Sequence, residues 1–185
     1  MLGTRGPAVL LLLATVAACS SSHPSKKPPA PPAAAPSTIT VTSTGFAPGA
    51  EIPDRYTCHG HNASPPLAWS GLPPGTATVA LVVDDPDAPD GTYTHWVVWD
   101  IPAATTSIGE ATVPPGARQG RNSANESHWD GPCPPSGTHH YRFTVYAEPQ
   151  LPDLPAGSPL TVTLPALRTR ALAQGRLTGL STATG

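Results

Sequence analysis

The chain predicts a mainly β fold, an antiparallel two-sheet β-sandwich with one short C-terminal helix. Three observations lead there. Short apolar or alternating runs, such as residues 79–83 and 141–147, have strand length and strand period. The 26 prolines in 185 residues exceed ordinary usage and run through the chain, which argues against long helices. Gly- and Pro-rich turns separate the runs, and a single helical stretch comes late. This length suits one domain with a real core.

Taken in order, residues 1–18 read as a leader that belongs outside the fold. Arg5 supplies a weak positive start, and residues 8–17 are apolar but too short to cross a bilayer about 30 Å thick. The run closes on Val16-Ala17-Ala18-Cys19-Ser20, which resembles a bacterial lipobox. In that motif the cysteine is acylated and becomes the new N-terminus. Cys19 is therefore the expected lipidation site, and the expected location is extracytoplasmic, held to the bacterial membrane by lipid. The rest of 19–37 is Pro/Ala-rich and aperiodic, a disordered tether that spans about 3.1 Å per residue where it adopts polyproline form. The folded domain is expected over 38–185.

Within it, residues 39–42 alternate as a half-buried strand does, 46–56 are turn-rich, and 67–69 form a short strand before a turn at 71–75. Residues 77–84 are apolar enough for a central strand, with 94–101 beside it. Residues 102–127 are irregular, and 128–137 must be a loop. Residues 141–147 alternate strongly, with Tyr141, Phe143, Val145 and Ala147 on one side. A last short strand is predicted over 160–164. The helix is predicted from Pro165, as a first-turn proline, to about Gln174, with Gly175 as its stop and Leu164, Leu167 and Ala171 on its buried face.

The chemistry concentrates between two of these strands. Pro86 and Pro89 bias Asp85 and Ala88 toward extended backbone, so the carboxylates of Asp85 and Asp87 are held. His95 follows at the mouth of Trp96-Val97-Val98-Trp99. Charge is sparse, with a formal net of -2. No basic face with interleaved aromatics exists, which excludes a nucleic-acid partner.

Three separated pieces carry a family resemblance. Asp85-Pro86-Asp87-Ala88-Pro89 with His95-Trp96-Val97-Val98 is similar to one signature of the phosphatidylethanolamine-binding protein family. GPCPPSGTHHYRFTVYA, from Gly131 on, resembles the other. SPPLAWSGLP, from Ser64, resembles the strand and turn that precede them. The likeness is to the bacterial and archaeal branch, called Raf kinase inhibitor-like, and covers residues 39–180. It implies a two-sheet sandwich with a small preformed anion pocket at one end that accepts phosphate-bearing groups, such as phospholipid heads.

Carried over, the ligand-binding set is Asp85, Asp87, Tyr93, His95, His139 and Tyr141, with Gly131 and Pro134 in the rim. Backbone N–H groups of a Gly/Pro-rich loop form an anion concavity, imidazoles, better when protonated, and a phenol donate to phosphate oxygens, and the carboxylates either orient an imidazole and raise its pKa or meet an ethanolamine ammonium. There are departures. Trp129 stands where the family has Tyr, and His140 where it commonly has Arg, with Arg142 two residues on. Nothing matches the C-terminal pocket helix of eukaryotic members.

With Cys19 assigned to lipid, Cys58 and Cys133 remain as an even pair in an oxidising compartment, and a disulfide between them is predicted. No metal is expected. Cys58-His59-Gly60-His61 and His139-His140 lack the spacings of dedicated zinc sites, and adjacent strand residues point to opposite faces. No Gly-x-Ser-x-Gly elbow or nucleophile stands beside the histidines, and Ser127 and Ser136 read as loop residues. The reading is thus a binder of a small anionic ligand or phospholipid head group, with no cofactor and no catalysis. Two other classes stay open: a protein-interaction module such as a protease or kinase inhibitor, using residues 102–127, and a weak hydrolase using the Asp/His/Tyr pocket. A homodimer also stays open.

Overall fold

A computed structural model describes residues 2–3 and 39–184, and the second span carries the fold. The leader, Cys19 and the tether lie outside the described residues. Two antiparallel sheets are present. The smaller has the order β1 (Thr40–Thr42), β2 (Leu67–Ser70), β5 (Ser107–Ile108). The larger runs β6 (Arg118–Gln119), β4 (Tyr93–Pro102), β3 (Thr78–Asp85), β7 (Thr138–Glu148), β8 (Ala173–Thr182).

Strand alternation gives the larger sheet two buried faces. Val79, Leu81, Val83, Trp96, Val98, Phe143 and Val145 share one core with Val41, Leu67, Trp69 and Ile108 of the smaller sheet. Ala80, Val82, Val97, Trp99 and Tyr146 face the other way. The helix α1 (Leu160–Arg170) covers them with Leu160, Leu164 and Leu167, joined by Ala171 just beyond its end. Asp84, 3% exposed, locks this layer to the sheet. It accepts a two-pronged bond from Arg142 at 2.7 and 2.9 Å and a third from Arg168 of α1 at 3.2 Å.

The C-terminal region corrects the sequence reading twice. Residues 160–164 are the first turns of α1, not a strand, and the helix ends at Arg170 rather than near Gln174. Pro165 lies inside it, where it removes the N–H that the Thr161 carbonyl would accept. Leu160, Leu164, Leu167 and Ala171 recur at helical spacing across that proline, and covering the apolar patch above outweighs one missing bond. Gly175 does not stop a helix; it lies in β8, an unforeseen ten-residue strand paired along β7 from Thr138↔Thr182 to Ala147↔Ala173. Small residues alternate inward there because the segment after Ile39 packs on top. A methyl group at Gly179 would lie 2.6 Å from Ile52 Cγ1 and 2.7 Å from Phe46. The expected irregular stretch 102–127 holds the two-residue strands β5 and β6.

One irregularity prepares the site. Val83 pairs with Trp96 but Asp84 pairs with Thr94, so His95 is the extra residue of a β-bulge on β4. Strict alternation would send His95 to the helix side with Val97 and Trp99. The bulge resets the phase and turns it toward the face that carries Asp85, His139 and Tyr141.

Candidate functional site

The two segments that held the sequence motifs meet at one end of the larger sheet, around a cavity of about 240 Å³. Its walls are Asp85 from β3, Tyr93 and His95 from β4, His139 and Tyr141 from β7, and the rim Asp130, Gly131, Cys133, Pro134 and Pro135, with Ala88 and Pro89 of the acidic turn. Pairing explains the convergence. Asp85 sits opposite Tyr93 across β3–β4, and Asp84 sits opposite Arg142 across β3–β7, so the ends of three adjacent strands arrive together.

Each polar side chain is held from behind. Asp85 accepts the Asp87 N–H at 2.8 Å through Oδ1 and lies 2.7 Å from Nδ1 of His139 through Oδ2. Asp85 and His139 are both buried. Nδ1 of His95 lies 2.7 Å from the Asp130 carbonyl oxygen, and its ring sits between Tyr93, at 4.7 Å, and Tyr141, at 5.2 Å. Burial pulls the His95 pKa below that of a free imidazole, against the opposing Asp130 carbonyl and the Asp130 and Asp85 charges. Desolvation of the charged form outweighs the neighbouring carboxylates at this ring. Tyr93 donates to Asp130 Oδ2 at 2.7 Å, and burial with that bond pushes its pKa up to about 12. Tyr141 is raised further by burial and by Asp85, despite the Cys133 backbone N–H directed at its oxygen.

Asp87 is the predicted residue that the cavity wall lacks. Its Oδ2 instead takes the backbone N–H and Nδ1 of His140, at 2.8 and 2.7 Å, on the exposed side of β7. The side-chain and backbone hydrogen bonds from His140 lower the Asp87 pKa from the ordinary carboxylate value. Arg142 does not enter the cavity either, since Asp84 claims it on the opposite face. Trp129 stacks on Phe143 and meets Trp96 edge-on, so its indole belongs to the core beneath the rim.

The rim is pinned by residues outside the predicted set. Asp130 orders both Tyr93 and His95, and its place beside Gly131 in the same loop was the available signal. Asn62 Oδ1 accepts the Gly131 N–H at 2.8 Å, and the Tyr56 carbonyl would lie 2.8 Å from any Cβ at Gly131. Buried Asn122 spans the His95 and His128 carbonyls. Apart from the Asn122–His128 bond, these contacts are between segments far apart in sequence, so no local pattern announced them.

The Cys58–Cys133 disulfide is present, with Cα atoms 5.5 Å apart, and ties the 57–62 turn to the rim. Cys58, His59 and Cys133 offer three donor atoms within 4.8 Å, but both sulfurs are committed to the disulfide. His59 and His61 lie exposed.

Comparison with known proteins agrees with this geometry. A sequence model of the phosphatidylethanolamine-binding protein family matches residues 42–182. The Mycobacterium tuberculosis (strain ATCC 25618 / H37Rv) protein named "Putative lipoprotein LppC" is 44% identical over 147 residues, which cover 78% of this chain and 73% of that one. A UPF0098 protein of Methanothermobacter thermautotrophicus is 41% identical over 140 residues, 73% of this chain and 93% of its own. The crystal structure of E. coli YbcL, described as a new member of the mammalian PEBP family, superposes with a TM-score of 0.74 at 33% identity, covering 80% of this chain and all of that one. By its sequence, its two-sheet fold and these likenesses, the chain belongs to the phosphatidylethanolamine-binding protein family.

Proposed function

We propose that the chain is a membrane-tethered, extracytoplasmic lipoprotein whose domain binds a small phosphate-bearing or similar anionic ligand between His95 and His139. The observation that carries this reading is the convergence of Asp85, Tyr93, His95, His139 and Tyr141 on one cavity rimmed by Gly131 and Pro134. Nδ1 of His139 donates to Asp85, so its Nε2 is the ring atom left, which donates to a ligand oxygen when the imidazole is protonated, and Tyr141 adds a hydroxyl. At about 240 Å³ the space lies below the usual range for drug-sized ligands and suits a head group or a free small anion. Among the described residues the wall contains no Ser, Thr or free thiol, which favours holding a ligand over cleaving it. A relative named as a lipoprotein supports Cys19 as the anchor.

Ligand binding to the folded state raises its stability by about 2.7 kcal/mol at a hundredfold excess over Kd. Thermal unfolding with increasing inorganic phosphate or phosphoethanolamine is expected to show a saturable rise in Tm, and His139→Ala is expected to abolish it. A Tm that ignores both compounds at every concentration would refute the reading.

A further inference from the structure

The two imidazoles of the cavity are held differently: Nδ1 of His139 faces the Asp85 carboxylate, and with both nitrogens protonated that ring donates from Nε2, whereas Nδ1 of His95 faces a backbone carbonyl. Nδ1 of His95 points at a backbone carbonyl, which only accepts, so Nδ1 carries the proton. Nε2 then presents a lone pair. It is buried and has no partner among the described residues. His95 as a whole is 5% exposed, and it forms part of the cavity wall. A fully ionised phosphate or sulfate brings only acceptor oxygens, so lone pair would face lone pair.

Charging the imidazole is the alternative, and its surroundings oppose it. Tyr93 on its own strand and Tyr141 on β7 flank the ring with phenols. Asp85 of β3 is committed to His139 of β7, and the Asp130 carboxylate accepts from Tyr93. Asp84 lies on the far face with Arg142 and Arg168. Burial of the ring outweighs what these carboxylates supply. Among the described residues, two carboxylates and no Lys or Arg line the cavity, so its charge does not favour a dianion.

We infer that the cavity selects its ligand in the singly protonated state: a phosphate monoester monoanion whose P–O–H donates to Nε2 of His95 while an ionised oxygen meets His139. This rests on the phosphate-binding reading and deepens it. Binding is then linked to one proton, and affinity falls as pH rises through the second pKa of the ligand, about 6 for a phosphate monoester.

Calorimetric titration of the full chain with methyl phosphate and methyl sulfate tests this. Methyl sulfate matches the shape and single charge of the methyl phosphate monoanion but has no acidic hydrogen. Near pH 6, methyl phosphate is expected to bind at least about tenfold more tightly, and its Kd to rise about tenfold per pH unit above that. Titrations at pH 8 in two buffers of different ionisation heat are expected to show one proton taken up per ligand. His95→Phe keeps a ring and removes the lone pair, so the preference for the phosphate ester is expected to vanish. Equal affinities for the two esters, or a methyl phosphate Kd that stays level from pH 6 to 8, would overturn the inference and leave the anion site standing. Binding of neither ester at any pH would overturn both.

Discussion

His139 and His140 are consecutive residues with separate duties, because strand alternation sends one to the cavity and the other to the exposed face. Each meets an aspartate of the same turn: Asp85 orients the inner ring and Asp87 the outer one. Of the two carboxylates expected in the pocket, only Asp85 lines the cavity, because Asp87 in the turn beyond β3 is held by outward-facing His140. A third acid, Glu148, shows what burial does without a partner. It is 1% exposed, its Oε1 has no hydrogen bond among the described residues, and burial pushes its pKa to about 7 from an ordinary 4.5, with Arg170 partly opposing. A carboxyl whose folded pKa lies above its unfolded one holds a proton that the unfolded chain releases, so its contribution to stability falls as pH rises from about 4.5 to 7. Glu148→Gln is therefore expected to stabilise the fold at pH 8 by roughly 2 kcal/mol, and to do little at pH 4.5. Urea midpoints at the two values provide the measurement, and an equal effect at both would contradict the argument.

Among the elements, α1 and β8 show how one patch of apolar surface decides a local conflict. Pro165 and Gly175 carry strong local signals, and the expected boundaries followed them. The helix nevertheless runs through Pro165 because Leu160, Leu164 and Leu167 cover Val82, Val97 and Trp99. The glycines of β8 serve close approach: Gly179 makes room for Ile52 and Phe46. Gly179→Ala is expected to cost about 1 to 3 kcal/mol in the denaturation midpoint, the range for overpacked cores. An unchanged midpoint would mean that β8 and the 46–52 segment do not press together. The disulfide acts between elements too, closing a 75-residue separation. Replacing Cys58 and Cys133 together by Ser is expected to cost about 4.5 kcal/mol by the chain-entropy argument, read out by urea unfolding with and without reductant. Wild type insensitive to reductant would count against it.

For the whole molecule, the larger sheet is a middle layer, with the smaller sheet on one face and α1 on the other, and the cavity opens at the end where β3 finishes and β4 and β7 begin. Such a layered core leaves the cavity walls little freedom, since His95, His139 and Tyr141 all emerge from paired strands. The proposed anchoring operates at this scale. Cys19→Ser is expected to move the full-length protein from the membrane fraction to the soluble fraction of the producing bacterium, with ligand-induced stabilisation retained. Identical partitioning of wild type and variant would remove the anchor from the proposal.

Composition and periodicity alone determined the β-rich class, the central strands and the acidic turn followed by histidine, because strand alternation and proline geometry act over a few residues. The two signature segments pointed to the family and so to the residues of the site. Three things waited for the tertiary structure: the bulge that turns His95 into the cavity, the choice of Asp85 over Asp87, and the pinning of the rim by Asp130, Asn62 and Asn122. Each depends on which distant backbone groups arrive opposite one another, and hydrogen bonds across such separations leave no trace in local pattern.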